Sequence, residues 1–193
     1  MDDSDYVQRL VSISNRKTKR YLQVVNPYRI NLRRWIRGSC LEIGCGIGRN
    51  LTYLSNPNNV GVDTNHSAVS HCRSIGHTVY TNTDFTESPN SSSEFDNILF
   101  SHVLEHMNSD QAVDLICLYK SNLNHNGRVV IICPQLRGFQ SDPTHVEFLN
   151  FEKLEAIVLR CNLVVEKSFS HPFPRIFSRL FIYNEFVVIA RQS

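Results

Sequence analysis

No stretch of the 193 residues approaches the roughly 20 consecutive apolar residues that span a bilayer, so nothing in the chain reads as a transmembrane helix. The first residues, Met-Asp-Asp-Ser-Asp, lack the basic-then-apolar pattern of a secretory leader, and the expectation is a cytoplasmic protein. Six cysteines (40, 45, 72, 117, 133 and 161) contain no Cys-x-x-Cys pair and lie mostly in apolar segments, which argues for free thiols rather than zinc ligands or disulfides. Internal repeats are lacking, and low complexity is confined to Ser91–Ser93. Asp and Glu are missing altogether from positions 6–41, where nine basic residues stand: Arg9, Arg16, Lys17, Lys19, Arg20, Arg29, Arg33, Arg34 and Arg37. Residues 42–193 carry 11 basic against 15 acidic residues, so the net charge of +2 conceals a basic arm over 1–37 and a mildly acidic domain over 38–193. Such an arm reads either as a solvated helical face or as a contact for an anionic partner such as a phosphorylated sugar, a lipid head group or RNA.

What is present, 41% hydrophobic and 20% charged residues over this length, suits one globular domain with a sizeable core. Residues 16–36 mix apolar residues at helical spacing around Pro27 and predict one or two helices. A short apolar run then breaks into Gly44, Gly46 and Gly48 before a helical segment over 49–55: strand, tight turn, helix start. Arg at position 49 spoils the Gly-x-Gly-x-x-Gly spacing of dinucleotide binders, and Glu42 stands where such a strand is normally apolar, so a nicotinamide cofactor is disfavoured. Further on, strands are predicted over 59–63, 77–81, 95–101, 128–133, 163–169 and 185–190. Helices are predicted over 65–75, 110–123 and 150–161, with loops over 87–94 and 124–127. Strands alternating with helices predict an α/β fold with a mostly parallel sheet covered on both faces.

An acid followed by Gly-x-Gly-x-Gly at 42–48 resembles motif I of the class I S-adenosylmethionine (SAM) dependent methyltransferases. Three further stretches in order strengthen the resemblance: Asp63 at the end of the second strand, Ser101-His-Val-Leu-Glu-His-Met107 after the fourth, and Asn126–Pro134 around the fifth. It covers residues 37–135 firmly and the tail loosely. The resemblance implies a single Rossmann-like three-layer α-β-α domain with a seven-stranded sheet in the order 3-2-1-4-5-7-6, the last strand antiparallel. It implies SAM as cofactor, with Glu42, Gly44, Cys45, Gly46 and Gly48 toward the methionyl part, Asp63 and Thr64 at the ribose, Asp84 and Phe85 at the adenine, and Ser101 and His102 completing the set. A module of the same fold without catalysis is the competing reading, and the intact acids and glycines oppose it.

On the acceptor side, His102, Glu105 and His106 stand at i, i+3 and i+4, which one helical turn would gather on one side, and Asp142-Pro-Thr-His145 forms a polar loop after the fifth strand. His145, then His106 and Glu105, are the candidate catalytic residues, because methyl transfer to oxygen needs the acceptor aligned and its proton removed. The Glu-His turn with a distant His also resembles the metal site of quinone-biosynthesis O-methyltransferases and of small-RNA 2′-O-methyltransferases. Those enzymes use Glu-x-x-Glu-His, whereas the first position here is His102, and the reading assigns no metal. The aromatic stretch 170–183, with Arg175 and Arg179, is a candidate wall for an acceptor with a ring face and negative charge. The expected activity is O-methylation of a small-molecule hydroxyl on a sugar, lipid-linked or polyketide-like acceptor, with RNA 2′-O-methylation as the alternative.

Overall fold

The computed structural model describes residues 27–177 and 183–192. Residues 16–26 of the predicted N-terminal helices, five of the nine basic residues of the arm, and Arg179 lie outside that range. A seven-stranded sheet has the strand order 3-2-1-4-5-7-6, as the resemblance implies. The chain divides into two compact units, residues 1–93 and 94–193.

In the first unit, α1 (Pro27–Trp35) opens on a proline, whose fixed φ suits a first helical turn. It leads to β1 (Cys40–Ile43), α2 (Arg49–Leu54), β2 (Val60–Val62), α3 (His66–Ser74), β3 (Thr78–Tyr80) and α4 (Asn82–Glu87). β1 and β3 each pair in parallel with β2, in the registers Leu41↔Val60 and Val60↔Thr78. Every residue of β1 and β2 is buried, which is why, Glu42 apart, neither shows the polar alternation of a half-exposed strand. Asn65 caps α3 by accepting from the Ala68 N–H at 2.9 Å, and Thr81 caps α4 by accepting from the Asp84 N–H at 3.1 Å. The glycine turn is seated on an apolar cluster of Cys45, Leu51, Val69, Cys72 and Val79.

Gly61, in the middle of β2, is part of that seating. A Cβ there would stand 2.8 Å from Cys45 Sγ and 2.9 Å from Leu51 Cδ1. Gly61→Ala is therefore expected to cost about 1–3 kcal/mol by overpacking, read as a lowered urea midpoint. An unchanged midpoint would show that Cys45 and Leu51 give way freely.

The second unit holds β4 (Phe95–Ser101), α5 (Ser109–Lys120), β5 (Leu123–Pro134), the short α6 (Leu136–Phe139), α7 (Phe151–Arg160), β6 (Leu163–His171) and β7 (Glu185–Gln192). β4 and β5 are parallel, and β7 runs antiparallel to both β5 and β6. A full capping box of Asn108 and Gln111 starts α5, and the apolar stripe of α7 buries Leu154, Ile157 and Val158.

Three details differ from the sequence reading. α5 ends at Lys120, not 123, and β5 begins at Leu123, so the turn-like Asn-His-Asn-Gly of 124–127 sits inside the strand. The pairing with β4 slips there, from Phe95↔Leu123 to Asn97↔Arg128, and the extra residues are absorbed as an irregularity. Asp84 and Phe85, which the resemblance assigns to the adenine, lie on a short helix, α4, not foreseen after β3.

Candidate functional site

Gly44, Gly46 and Gly48 all have positive φ (71°, 52° and 73°), the left-handed conformation that lets β1 turn sharply into α2. Gly48 is the N-cap of α2, and its N–H donates to the Cys45 carbonyl at 2.9 Å. The Gly44 and Cys45 N–H groups donate to the Val62 carbonyl at 2.8 and 3.2 Å, tying the turn to β2. Asp63 completes the tie: Oδ2 accepts from the Gly46 N–H at 2.7 Å and Oδ1 from the Asn65 N–H at 2.9 Å. The acid that the resemblance assigns to a ribose thus also clamps two turns. Thr64 beside it is exposed, and the Cys45 side chain points into the core, so Cys45 offers the turn its backbone.

Glu42 is buried in β1, 1% exposed. Its Oε1 accepts from Asn50 Nδ2 at 2.7 Å, while Oε2 and Asn50 Oδ1 are buried without a hydrogen-bond partner. Burial pushes the Glu42 carboxyl up to about 8, the Asn50 hydrogen bond and the Arg49 charge opposing only part of that, and Asp63 adding to it. Asn50 was invisible to sequence reasoning; its signal was a polar residue on the inner face of the first turn of α2, eight residues after Glu42. Asp84 pairs with Arg73 at 3.0 Å, which holds its carboxyl below the ordinary value, and Phe85 is buried with its ring edge-on to Tyr80 at 6.2 Å.

SAM fits this unit. Beyond the place of a Gly46 Cβ there is no atom within 4 Å, and an orphaned carboxylate oxygen on Glu42 matches the ammonium of a methionyl group. Glu42, the glycine turn and Asp63 would hold the cofactor.

In the second unit the expected helical turn over 102–106 is a 3₁₀ turn of Leu104–His106, and His102 precedes it in the left-handed region at φ 59°. Its ring is consequently held between two carboxylates, Glu105 at 3.2 Å from Nδ1 and Glu185 at 2.8 Å from Nε2. Burial alone would push the imidazole down, but hydrogen bonds and charge from Glu105 and Glu185 outweigh it and raise His102 to about 9. Glu185, 83 residues away in sequence, was not foreseen. A buried amide pair sets it: Gln135 Nε2 donates to the Glu185 carbonyl at 3.1 Å, and Asn184 Nδ2 donates to Gln135 Oε1 at 3.0 Å. Ser101 is the buried last residue of β4.

Glu105, His106 and His145 come together, one ligand-competent atom of each lying within 4.8 Å of the others. The Glu105 carboxylate is 1% exposed, with Oε1 3.2 Å from His102 Nδ1. His145 Nδ1 lies 2.7 Å from the Phe139 carbonyl, which can only accept, so that nitrogen donates and, in the neutral imidazole, the lone pair is on Nε2. The His145 ring stacks on Phe139 at 5.2 Å and meets the His106 ring edge-on at 4.9 Å. His106 Nδ1 leans on the Thr144 carbonyl at 3.3 Å and on its Oγ1 at 3.2 Å. Thr144 in turn donates to Asp142 Oδ1 from both N–H and hydroxyl, which holds the Asp142 carboxyl down.

The loop that carries His145 is pinned close by. The Val146 and Glu147 N–H groups donate to the Glu105 carbonyl at 2.8 and 3.3 Å, and Glu147 Oε2 accepts from the Ser109 N–H at 2.7 Å. Half-buried rings run on from Phe139 to Phe148 (5.4 Å), then to the buried Phe186 (6.0 Å) and to half-buried Phe151 (4.6 Å from Phe186), with the Arg175 guanidinium 5.9 Å above Phe186.

A family model described as "Methyltransferase domain" matches residues 5–168. No curated protein matches the sequence. Among solved structures, the chain is similar to a SAM-dependent methyltransferase from Archaeoglobus fulgidus, at 21% identity over 91% of this chain and 93% of that one, TM-score 0.61. It is also similar to a TehB-like SAM-dependent methyltransferase from Corynebacterium glutamicum, at 17% identity over 99% and 98%, TM-score 0.66. A third is an O-methyltransferase of neocarzinostatin biosynthesis in complex with S-adenosyl-L-homocysteine and 1,4-dihydroxy-2-naphthoic acid, at 16% identity over 81% and 49%, TM-score 0.61. With the glycine turn, the acid at the end of β2 and the 3-2-1-4-5-7-6 sheet in place, the match over most of its length puts the chain in the methyltransferase-domain family, as a class I enzyme with SAM as its cofactor.

Proposed function

We propose that the enzyme methylates a hydroxyl oxygen of a small molecule, a sugar, lipid-linked or polyketide-like acceptor. The observation that carries this reading is the Glu105, His106 and His145 cluster, in which a fixed imidazole offers a lone pair beside a buried carboxylate. SAM supplies an electrophilic methyl group on a sulfonium. An oxygen acceptor in line with that group must lose its proton, and an imidazole is the side chain suited to take it near neutral pH. Phe139 and Phe148 add ring surface near His145, and Arg175 adds positive charge, which suits an acceptor with an apolar face and an anionic group. The neocarzinostatin enzyme, whose structure holds a dihydroxynaphthoic acid, is consistent with that chemistry. All six cysteines are free thiols, in keeping with a reducing cytoplasm.

Incubating the protein with methyl-labelled SAM and cell extracts, before and after nuclease treatment, tests the acceptor class. Label in a nuclease-resistant, low-mass product is expected. Label lost on nuclease treatment would assign RNA instead, the partner suggested by the basic arm.

The cofactor half has its own test. Asp63→Ala is expected to weaken SAM binding by about 1–3 kcal/mol, roughly 5- to 150-fold by calorimetry, because a charged hydrogen-bonded contact is removed. The same substitution unties the Gly46 and Asn65 N–H groups, so a Tm is measured beside the affinity. Undiminished affinity would take Asp63 out of the cofactor site.

A further inference from the structure

We propose that Cys72 is a positioning residue for the cofactor. From behind the glycine turn its thiol donates to the Gly46 carbonyl and so turns the Ile47 N–H outward, as a donor for the carboxylate at the methionyl end of SAM. The proposal rests on the glycine turn lying at that end of the cofactor, and every observation behind it belongs to the first unit.

The first observation is a residue gripped at both of its polar atoms. The Gly46 N–H donates to Asp63 Oδ2 at 2.7 Å, and the Gly46 carbonyl lies 3.2 Å from Cys72 Sγ, with Cys45 Sγ farther off at 3.9 Å. A carbonyl can only accept, so the Cys72 S–H is the donor. On its remaining side Gly46 is open, a Cβ there meeting no atom within 4 Å. In a trans peptide the C=O and the N–H of the next residue point in opposite directions. With the Gly46 carbonyl turned onto a fully buried thiol, the Ile47 N–H faces away from that core, and it has no acceptor among the described residues. Backbone donors set free in a turn of this kind are suited to an anionic group.

The second is how the thiol comes to be there. Asp63 Oδ1 accepts from the Asn65 N–H at 2.9 Å, and Asn65 caps α3 through the Ala68 N–H at 2.9 Å. Cys72 lies seven residues beyond Asn65, two helical turns along the stripe that buries Ala68 and Val69. Asp63 therefore fixes both the Gly46 N–H and the start of the helix whose far part returns to the Gly46 carbonyl. The two polar atoms of one glycine are held from the two ends of α3.

The third is the fit. A Cβ on Gly48 would stand 3.0 Å from Cys72 Sγ and 3.0 Å from His77 Cδ2, so the turn rests directly on these two side chains. The His77 N–H donates to the Cys72 carbonyl at 3.0 Å, and its Nε2 lies 2.8 Å from Thr52 Oγ1, whose hydroxyl donates to the Gly48 carbonyl at 3.0 Å. An apolar side chain in place of Cys72 would leave the Gly46 carbonyl without its donor, which a buried acceptor tolerates poorly.

Calorimetry on the full-length protein reads the role, with SAM, S-adenosyl-L-homocysteine and 5′-methylthioadenosine, which keeps the adenosine and lacks the amino-acid end. Cys72→Ala is expected to weaken SAM and S-adenosyl-L-homocysteine by about three- to tenfold, the worth of one neutral hydrogen bond, and to leave methylthioadenosine within about twofold. Cys72→Ser, which differs from the alanine variant only by a hydroxyl donor, should recover most of the loss. A thiol that merely fills the core predicts otherwise: all three ligands weaken together, in the order of the melting temperatures measured beside them. That pattern, wild-type SAM affinity in Cys72→Ala, or equal weakening in the alanine and serine variants would each overturn the proposal. Asp63→Ala separates this from the cofactor reading beneath it. SAM binding weakened there but kept in Cys72→Ala sinks the role of Cys72 alone, whereas binding kept in both also removes Asp63 from the cofactor site.

Discussion

Replacing His145 by alanine is expected to lower turnover by about 10² to 10⁴ while leaving SAM affinity close to wild type. The size follows from the role proposed for the side chain. As the proposed general base it would accept the hydroxyl proton at Nε2, which alanine cannot do. The selectivity follows from where the residue is anchored. His145 belongs to the second unit, and its contacts there, the Phe139 carbonyl and the rings of Phe139 and His106, include none of Glu42, the glycine turn or Asp63. The loop outlasts the substitution, because it is fastened through the Val146 and Glu147 N–H groups to the Glu105 carbonyl and through Glu147 to Ser109. Single-turnover rates and SAM calorimetry on the same preparation check the split. Turnover near wild type would mean that alignment of the acceptor suffices or that His106 carries the chemistry. Loss of SAM binding would move His145 to the cofactor site.

The strand, glycine turn and strand-end acid of the first unit were legible because their chemistry is local. Glu42, three glycines and Asp63 fall within 22 residues, and each stands at a strand end or turn whose type its residue announces. Buried parallel strands announced themselves too: Phe95–Ser101 was predicted over its full length, around the apolar core Ile98–Phe100. Misreadings arose where local chemistry was overruled by pairing. Asn124–Gly127 has turn residues, yet β4 and β5 accept it as an irregularity in their ladder. His102, Glu105 and His106 have helical spacing, yet the left-handed backbone at His102 sends its ring to Glu185, so the residue that joins Glu105 and His106 is His145, 39 positions after His106. Glu185 and Phe139 could not be found by any periodicity. One matters through a single contact over 83 residues, the other through a backbone carbonyl that every residue possesses.

Glu42→Gln is expected to stabilise the protein at alkaline pH and to weaken SAM binding at the same time. Burial raises the folded-state value of Glu42 to about 8, against an ordinary 4.5. Below about pH 4.5 the group is protonated whether the chain is folded or not, and it costs nothing. Between about 4.5 and 8 the unfolded chain releases the proton and the folded chain keeps it, so stability falls with rising pH, by roughly 1.4 kcal/mol for each pH unit crossed. Above about 8 the full penalty is present, a few kcal/mol on this reckoning. Glutamine keeps the acceptor for Asn50 Nδ2 and has no proton to lose. Urea midpoints of the two proteins should therefore coincide near pH 4.5 and diverge by pH 8.5, the variant being the more stable; parallel curves would show that Glu42 is ionised in the folded state throughout. The opposite sign is expected for the cofactor. A methionyl ammonium beside Glu42 favours the carboxylate, so wild-type affinity should fall as pH drops below about 8, with proton release on binding, while the variant binds more weakly and without that pH dependence. Equal affinities with equal pH profiles would leave Glu42 a structural acid of β1 and assign the methionyl end to the backbone of the glycine turn alone.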